Sequence, residues 1–140
     1  MNGLLQISRN KTACIMIVDD DRDFVESIAL VVRNEGYEVE IKYDTGSAFE
    51  SMQKKAPDLV LLDVMFPEDS SAGFELARVM RHENKQLKMV PIIMVTAINA
   101  KFPLGFSSND IDSEWMLIND YLEKPVDFGV LKDKVTKLLG

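Results

Sequence analysis

Apolar positions along the chain change their period several times, and each change marks an element. Residues 13–18 (ACIMIV) form a continuous apolar run, the pattern of a strand buried on both faces. Phe24, Val25, Ile28, Ala29, Val31 and Val32 then recur at helical spacing, with Gly36 as a C-terminal stop. Val39, Ile41 and Tyr43 alternate and predict a second strand. Residues 45–55 carry Ala48, Phe49 and Met52 on one helical face, and Pro57 ends that helix. Leu59, Val60, Leu61 and Leu62 form a second unbroken run, with Asp63 at its exit. A polar loop follows Pro67. A helix then starts near Gly73 with Phe74, Leu76, Ala77, Val79 and Met80 as its apolar positions. Pro91 opens a fourth strand, PIIMVT, that ends at Thr96.

Residues 97–114 contain Pro103, Gly105, Ser107, Ser108 and Asn109; they predict mostly loop, with room for one short helix. Residues 120–123 read as a short fifth strand closed by Lys124-Pro125. Asp127 caps a last helix with Phe128, Leu131, Val135 and Leu138 facing inward. Strands alternating with helices at this spacing predict a doubly wound α/β fold, a parallel sheet with helices on both faces and right-handed crossovers. Residues 1–12 are an irregular lead-in, and residues 13–140 form one domain.

Composition narrows the functional classes. The 46% hydrophobic and 28% charged content of the 140 residues is that of a globular protein, and no apolar run reaches the roughly 20 residues of a membrane helix. No secretory signal pattern opens the chain. The single cysteine, Cys14, excludes an intramolecular disulfide and suits a reducing cytoplasm; its apolar strand predicts a small buried hydrophobe. A net charge of −7 without a basic stripe argues against direct nucleic-acid binding, which depends on neutralising phosphates. Any control of transcription would pass through a partner.

The chemistry gathers at strand ends. Asp19 and Asp20 follow the first strand, Asp63 the third, Thr96 the fourth and Lys124 the fifth, whereas the second ends only in Asp44. In a parallel sheet all carboxyl ends share one edge, where open α/β folds bind ligands. Carboxylates crowded there repel one another, and oxygen-only donors suit a hard divalent ion such as magnesium. A lysine and a hydroxyl suit phosphoryl oxygens. An aspartate beside a metal site, a lysine and a hydroxyl is an arrangement for forming an aspartyl phosphate. Taken singly, these residues have plainer roles. Three acids open many helices, a strand-end aspartate is often a cap, and a tyrosine is more often core than switch.

Four segments, IMIVDDDRDF, LVLLDVMFP, PIIMVTA and DYLEKPV, occur in an order and spacing that resemble the receiver domain of bacterial two-component response regulators, the CheY-like superfamily. The resemblance covers about residues 13–139. It implies a flavodoxin-like sheet of order 2-1-3-4-5. It further implies that Asp63 is the phosphoacceptor, charged from a sensor histidine kinase or phosphotransfer protein. Asp19 and Asp20 would hold Mg2+, together with Asp63 and the backbone carbonyl of Met65. Lys124 would pair with the phosphoryl group, Thr96 would hydrogen-bond to it, and Tyr121 would be the switch that follows. A cis Lys124-Pro125 bond is implied as well. Such a domain is a cytoplasmic signalling switch, an enzyme only in catalysing its own phosphorylation and dephosphorylation. His82 would be a surface residue and not a phosphodonor.

Three departures from the family bear on output. PEDSSAG lengthens the loop after Asp63, the chain between Thr96 and Lys124 is longer than usual, and Leu117-Ile118 replaces a customary Gly-Ala pair. A regular helix between the fourth and fifth strands is not predicted. An output protein could engage the 97–122 region, where Phe102, Leu104, Phe106 and Trp115 cluster; packing over the sheet is the plainer alternative, and a homodimer is compatible with either. A degenerate receiver that binds partners without phosphorylation would share the fold. A phosphohydrolase of the haloacid dehalogenase type would need a second aspartate where Met65 stands. An origin in a larger regulator or hybrid kinase is compatible with the sequence.

Overall fold

The unbroken apolar runs become the middle of a sheet. The computed structural model describes residues 12–64, 71–97 and 117–140. Its strands are β1 (Cys14–Val18), β2 (Glu38–Lys42), β3 (Leu59–Asp63), β4 (Ile92–Ala97) and β5 (Asp120–Lys124). The described helices are α1 (Arg22–Asn34), α2 (Thr45–Lys54), α3 (Ala72–His82) and α4 (Phe128–Leu139). The strand order is β2-β1-β3-β4-β5, and every pairing is parallel. The order and the helices on both faces are those the strand-helix alternation and the resemblance implied. β1 and β3 lie inside the sheet, and all five residues of β3 are buried.

Alternation along each strand splits the interior in two. Met16, Val18, Val60, Leu62, Ile92 and Met94 face α2 and α3, whose Ala48, Met52, Phe74, Ala77 and Met80 complete one core. Ile15, Ile17, Leu59, Leu61, Ile93 and Val95 face α1 and α4, with Val25, Ile28, Leu131 and Val135. A helix therefore cannot shift along one face without disturbing the strands that support the other.

The caps follow the sequence. Asp21, Asp44 and Asp127 each accept a backbone N–H from three residues ahead, which satisfies a donor left open at a helix start. Gly36 ends α1 with a φ of +97°, a conformation that costs glycine little. Two expectations are corrected. Phe128 is 45% exposed rather than inward, because it is the first residue of α4; Leu131 and Val135, one and two turns on, take the buried stripe. Cys14 is half-buried, not fully buried, because it opens β1 at the rim; burial, then Glu40 and Glu38, push its thiol pKa up. The expected loop at 97–114 falls outside the described residues beyond Ala97. Lys124-Pro125 is cis, and His82 is an exposed end of α3.

Arg81, in the last turn of α3, holds together segments that sequence separates widely. Its Nε donates to the Leu117 carbonyl (3.0 Å) and its Nη2 to Asn119 Oδ1 (3.1 Å). Its Nη1 reaches the carbonyls of Leu87, Lys88 and Val90 at 3.3, 3.0 and 2.8 Å. Asn119 in turn exchanges hydrogen bonds with the Ile92 backbone, so the lead-in to β5 is fastened to the start of β4. Leu117 and Ile118 pack on the core beside α3, which explains larger side chains there than the family's usual pair. Burial lowers the Arg81 guanidinium pKa from its ordinary value, and five acceptors offset that desolvation. Lysine, with a point charge and no planar fork, could not make the same set.

Replacing this hub leaves carbonyls without donors. Arg81→Met is expected to destabilise the fold by about 2–4 kcal/mol in urea unfolding, with the slope unchanged. A variant within about 0.5 kcal/mol of the parent would show that these bonds are dispensable.

Candidate functional site

Asp19 and Asp63 are the buried polar residues of the described core, at 1% and 3% exposure. Each stands at the exit of an inner strand. The Asp19 N–H donates to the Lys42 carbonyl and the Val64 N–H to the Val95 carbonyl, so both exits stay tied to their neighbours. Counting in twos from the α1/α4 core, Asp19 continues Ile15 and Ile17, Asp63 continues Leu59 and Leu61, and Lys124 continues Leu122. Strand register alone thus directs these three side chains to one face. Asp20, exposed on the following turn, joins them.

Donor oxygens of Asp19, Asp20 and Asp63 all lie within 4.8 Å of one another. Two unit charges at that separation repel by roughly 3 kcal/mol at an effective dielectric of about 20. Lys124 Nζ lies 2.9 Å from Asp19 Oδ2. That oxygen is fully buried and accepts no well-directed hydrogen bond, so its contact with Lys124 is an off-axis ion pair. Asp19 Oδ1 accepts the Asp21 N–H at 2.9 Å. Among the described residues, Lys124 is the ammonium that lies against this group of three carboxylates. An all-oxygen donor set of this kind fits a hard divalent cation.

Over residues 15–136 the chain matches the response regulator receiver domain. The chain belongs to this family. It is 32% identical over 131 residues to the CAI-1 autoinducer sensor kinase/phosphatase CqsS of Vibrio cholerae, covering 94% of this chain and 18% of that protein. It is 37% identical over 113 residues to the DNA-binding response regulator MtrA of Mycolicibacterium paratuberculosis, covering 79% of this chain and 44% of that one. The chain thus spans less than half the length of either relative. A CheY-like response regulator receiver domain protein from Methanospirillum hungatei superposes with a TM-score of 0.76 at 27% identity, covering 92% of this chain and 94% of that one.

Two other residues that the resemblance singled out, Thr96 and Tyr121, lie on β4 and β5. Thr96 is half-buried near the end of β4, in register with Glu123 and one position past the Asp63–Val95 pair. By alternation it belongs to the opposite face from Asp63 and Lys124, and shares that face with Tyr121. Tyr121 is 48% exposed, which excludes the plain core role. Lys134 of α4 lies 5.1 Å from the centre of its ring, donates to its carbonyl (2.8 Å) and binds Asp120 Oδ1 (2.7 Å). Burial raises the Asp120 pKa, but hydrogen bonds from Lys134 and the Tyr121 N–H outweigh it, holding the carboxyl below its ordinary range. Met65 and most of the 97–122 region, Trp115 included, lie outside the described residues.

Two residues at the site were not singled out in the sequence. Phe24, counted there only as an apolar helix position, has its ring centre 4.2 Å from Lys124 Nζ. Gly73 marked a helix start, yet it is buried in the first turn of α3 against the end of β3. A methyl group on it would lie 2.5 Å from the Asp63 carbonyl oxygen and 3.0 Å from Val64 Cα. The available signal was a glycine inside a helical pattern, where alanine would otherwise be favoured.

Because both obstructing atoms are backbone, no rotamer change can relieve the contact. Gly73→Ala is expected to cost about 1–3 kcal/mol in urea unfolding as α3 and the end of β3 are pushed apart. Parent-like stability would mean that this approach is looser than it stands here.

Proposed function

We propose that this receiver domain accepts a phosphoryl group on Asp63 and uses it to switch a protein-interaction surface. The convergence of Asp63 with Asp19, Asp20 and Lys124 carries this reading. An Asp63 carboxylate oxygen forms the new O–P bond. The P–N bond of a phosphohistidine, or the P–O bond of a small acyl phosphate, breaks and its electron pair leaves with the donor. Lys124 is the cation for the incoming phosphoryl oxygens, at the end of a strand that delivers it to the cluster. Asp19, Asp20 and Asp63, with the Met65 carbonyl, would hold Mg2+, which neutralises charge on the transferring group when bound. In this reading a phosphoryl group projecting beyond the strand ends is met by the Thr96 hydroxyl from the other face of the sheet, and Tyr121, on that same face of β4–β5, carries the change outward.

The donor in this reading is a sensor histidine kinase or phosphotransfer protein, and the output protein engages the 97–122 region, in the cytoplasm. The unit that acts is residues 13–140. CqsS is a sensor kinase/phosphatase and MtrA a DNA-binding response regulator. This chain covers 18% and 44% of those proteins, and the proposal does not extend to their other activities.

Incubation with acetyl phosphate and Mg2+, followed by intact mass measurement, tests the reading. One phosphoryl adduct is expected on the parent chain, and none on Asp63→Asn or after chelation of the metal. An adduct of equal yield on Asp63→Asn, or none on the parent, would overturn it.

A further inference from the structure

Four contacts close a circuit around the lysine. The Asp21 N–H donates to Asp19 Oδ1 (2.9 Å), and Asp21 Oδ1 accepts the Phe24 N–H (3.1 Å). The Phe24 ring centre is 4.2 Å from Lys124 Nζ, and Lys124 Nζ lies 2.9 Å from Asp19 Oδ2. The helix cap thus fixes the backbone of the residue whose ring lies against the ammonium. Phe24 is also packed on the α1/α4 core, so its ring is braced from below.

A lysine carries its charge on a flexible four-carbon stem. Here three carboxylates lie within its reach, and one of them, Asp63, is the proposed nucleophile. An unbraced ammonium would divide its time among them and water. An aliphatic side chain at position 24 could fill the same space against the core. It would lack the negative face with which an aromatic ring attracts a cation. We infer that Phe24 is a positioning residue for phosphoryl transfer, a shelf that confines the Lys124 ammonium to the arc between Asp19 and Asp63. This inference rests on the proposed phosphoacceptor role, and goes beyond it by giving the lysine's placement a cause in α1. Asp21 then has two duties, capping the helix and setting the shelf.

The test replaces Phe24 with its 4-fluoro and 3,4,5-trifluoro analogues, which withdraw charge from the ring face with little change of shape, and with Tyr and Leu. Two readouts are taken on each folded variant. One is the rate of adduct formation with acetyl phosphate and Mg2+. The other is the acylation of Lys124 by a small amine-reactive reagent relative to the other lysines, mapped by peptide mass. Stepwise fluorination and Phe24→Leu are expected to slow adduct formation about two- to fivefold and raise relative Lys124 acylation by a similar factor, with Phe24→Tyr close to the parent. If either readout is flat across the fluorinated series, the ring acts by packing alone and the inference falls, even if Phe24→Leu is slow. If the parent itself takes no phosphoryl group, it is the phosphoacceptor reading that fails. The acylation readout still reports separately whether the shelf holds the lysine.

Discussion

Like charges forced together at the exits of β1 and β3 are the constraint on which this site depends. Asp19 and Asp63 are almost wholly buried, and Asp20 adds a third carboxylate within 4.8 Å. Buried charge is tolerated when it is paired and hydrogen-bonded. For Asp19 the pairing is supplied by Lys124, from a strand three places from β1 in the sheet, and by the Asp21 N–H from the first turn after β1. Among the described residues, one ammonium serves a cluster of three carboxylates. A cluster rich in oxygen donors fits a hard divalent cation, and the proposed phosphoryl transfer builds on that fit.

Everything else in the fold serves to hold those exits in register. Parallel pairing puts all strand ends on one edge, and alternation sends Asp19, Asp63 and Lys124 to the same face. Gly73 lets α3 approach the end of β3 closely enough to pack without a side chain between them. At the opposite edge, Arg81 and Asn119 fasten the lead-in of β5 to β4 and to the loop after α3. A slip of β5 by one residue would turn Lys124 to the other face and leave Asp19 with an unpaired buried oxygen. The Arg81 hub is therefore far from the chemistry in space yet tied to it through register.

The sequence showed the frame clearly for a physical reason. Strands buried on both faces leave unbroken apolar runs, and their polar exits stand out against them; residues 59–63 are the plainest example. Asp19, Asp20, Asp63 and Lys124 could be found in this way, because parallel pairing converts positions in the chain into positions on an edge. Interactions that depend on the direction of one side chain could not. Phe24 fits a helical stripe equally well as core or as a shelf for a cation. Arg81 looks like a basic residue at a helix end, where it would favour the dipole without any further partner. Phe128 was read inward from spacing alone, which says nothing of how far a helix overhangs its sheet.

The most direct test of this account asks where the covalent bond forms. Protein phosphorylated in the presence of Mg2+ would be reduced with borohydride, which converts an acyl phosphate to an alcohol, and then digested and sequenced by mass spectrometry. The account predicts homoserine at position 63 and unaltered aspartate at 19 and 20. Reduction at Asp19 or Asp20, or at none of the three in protein that carries the phosphoryl adduct, would contradict it.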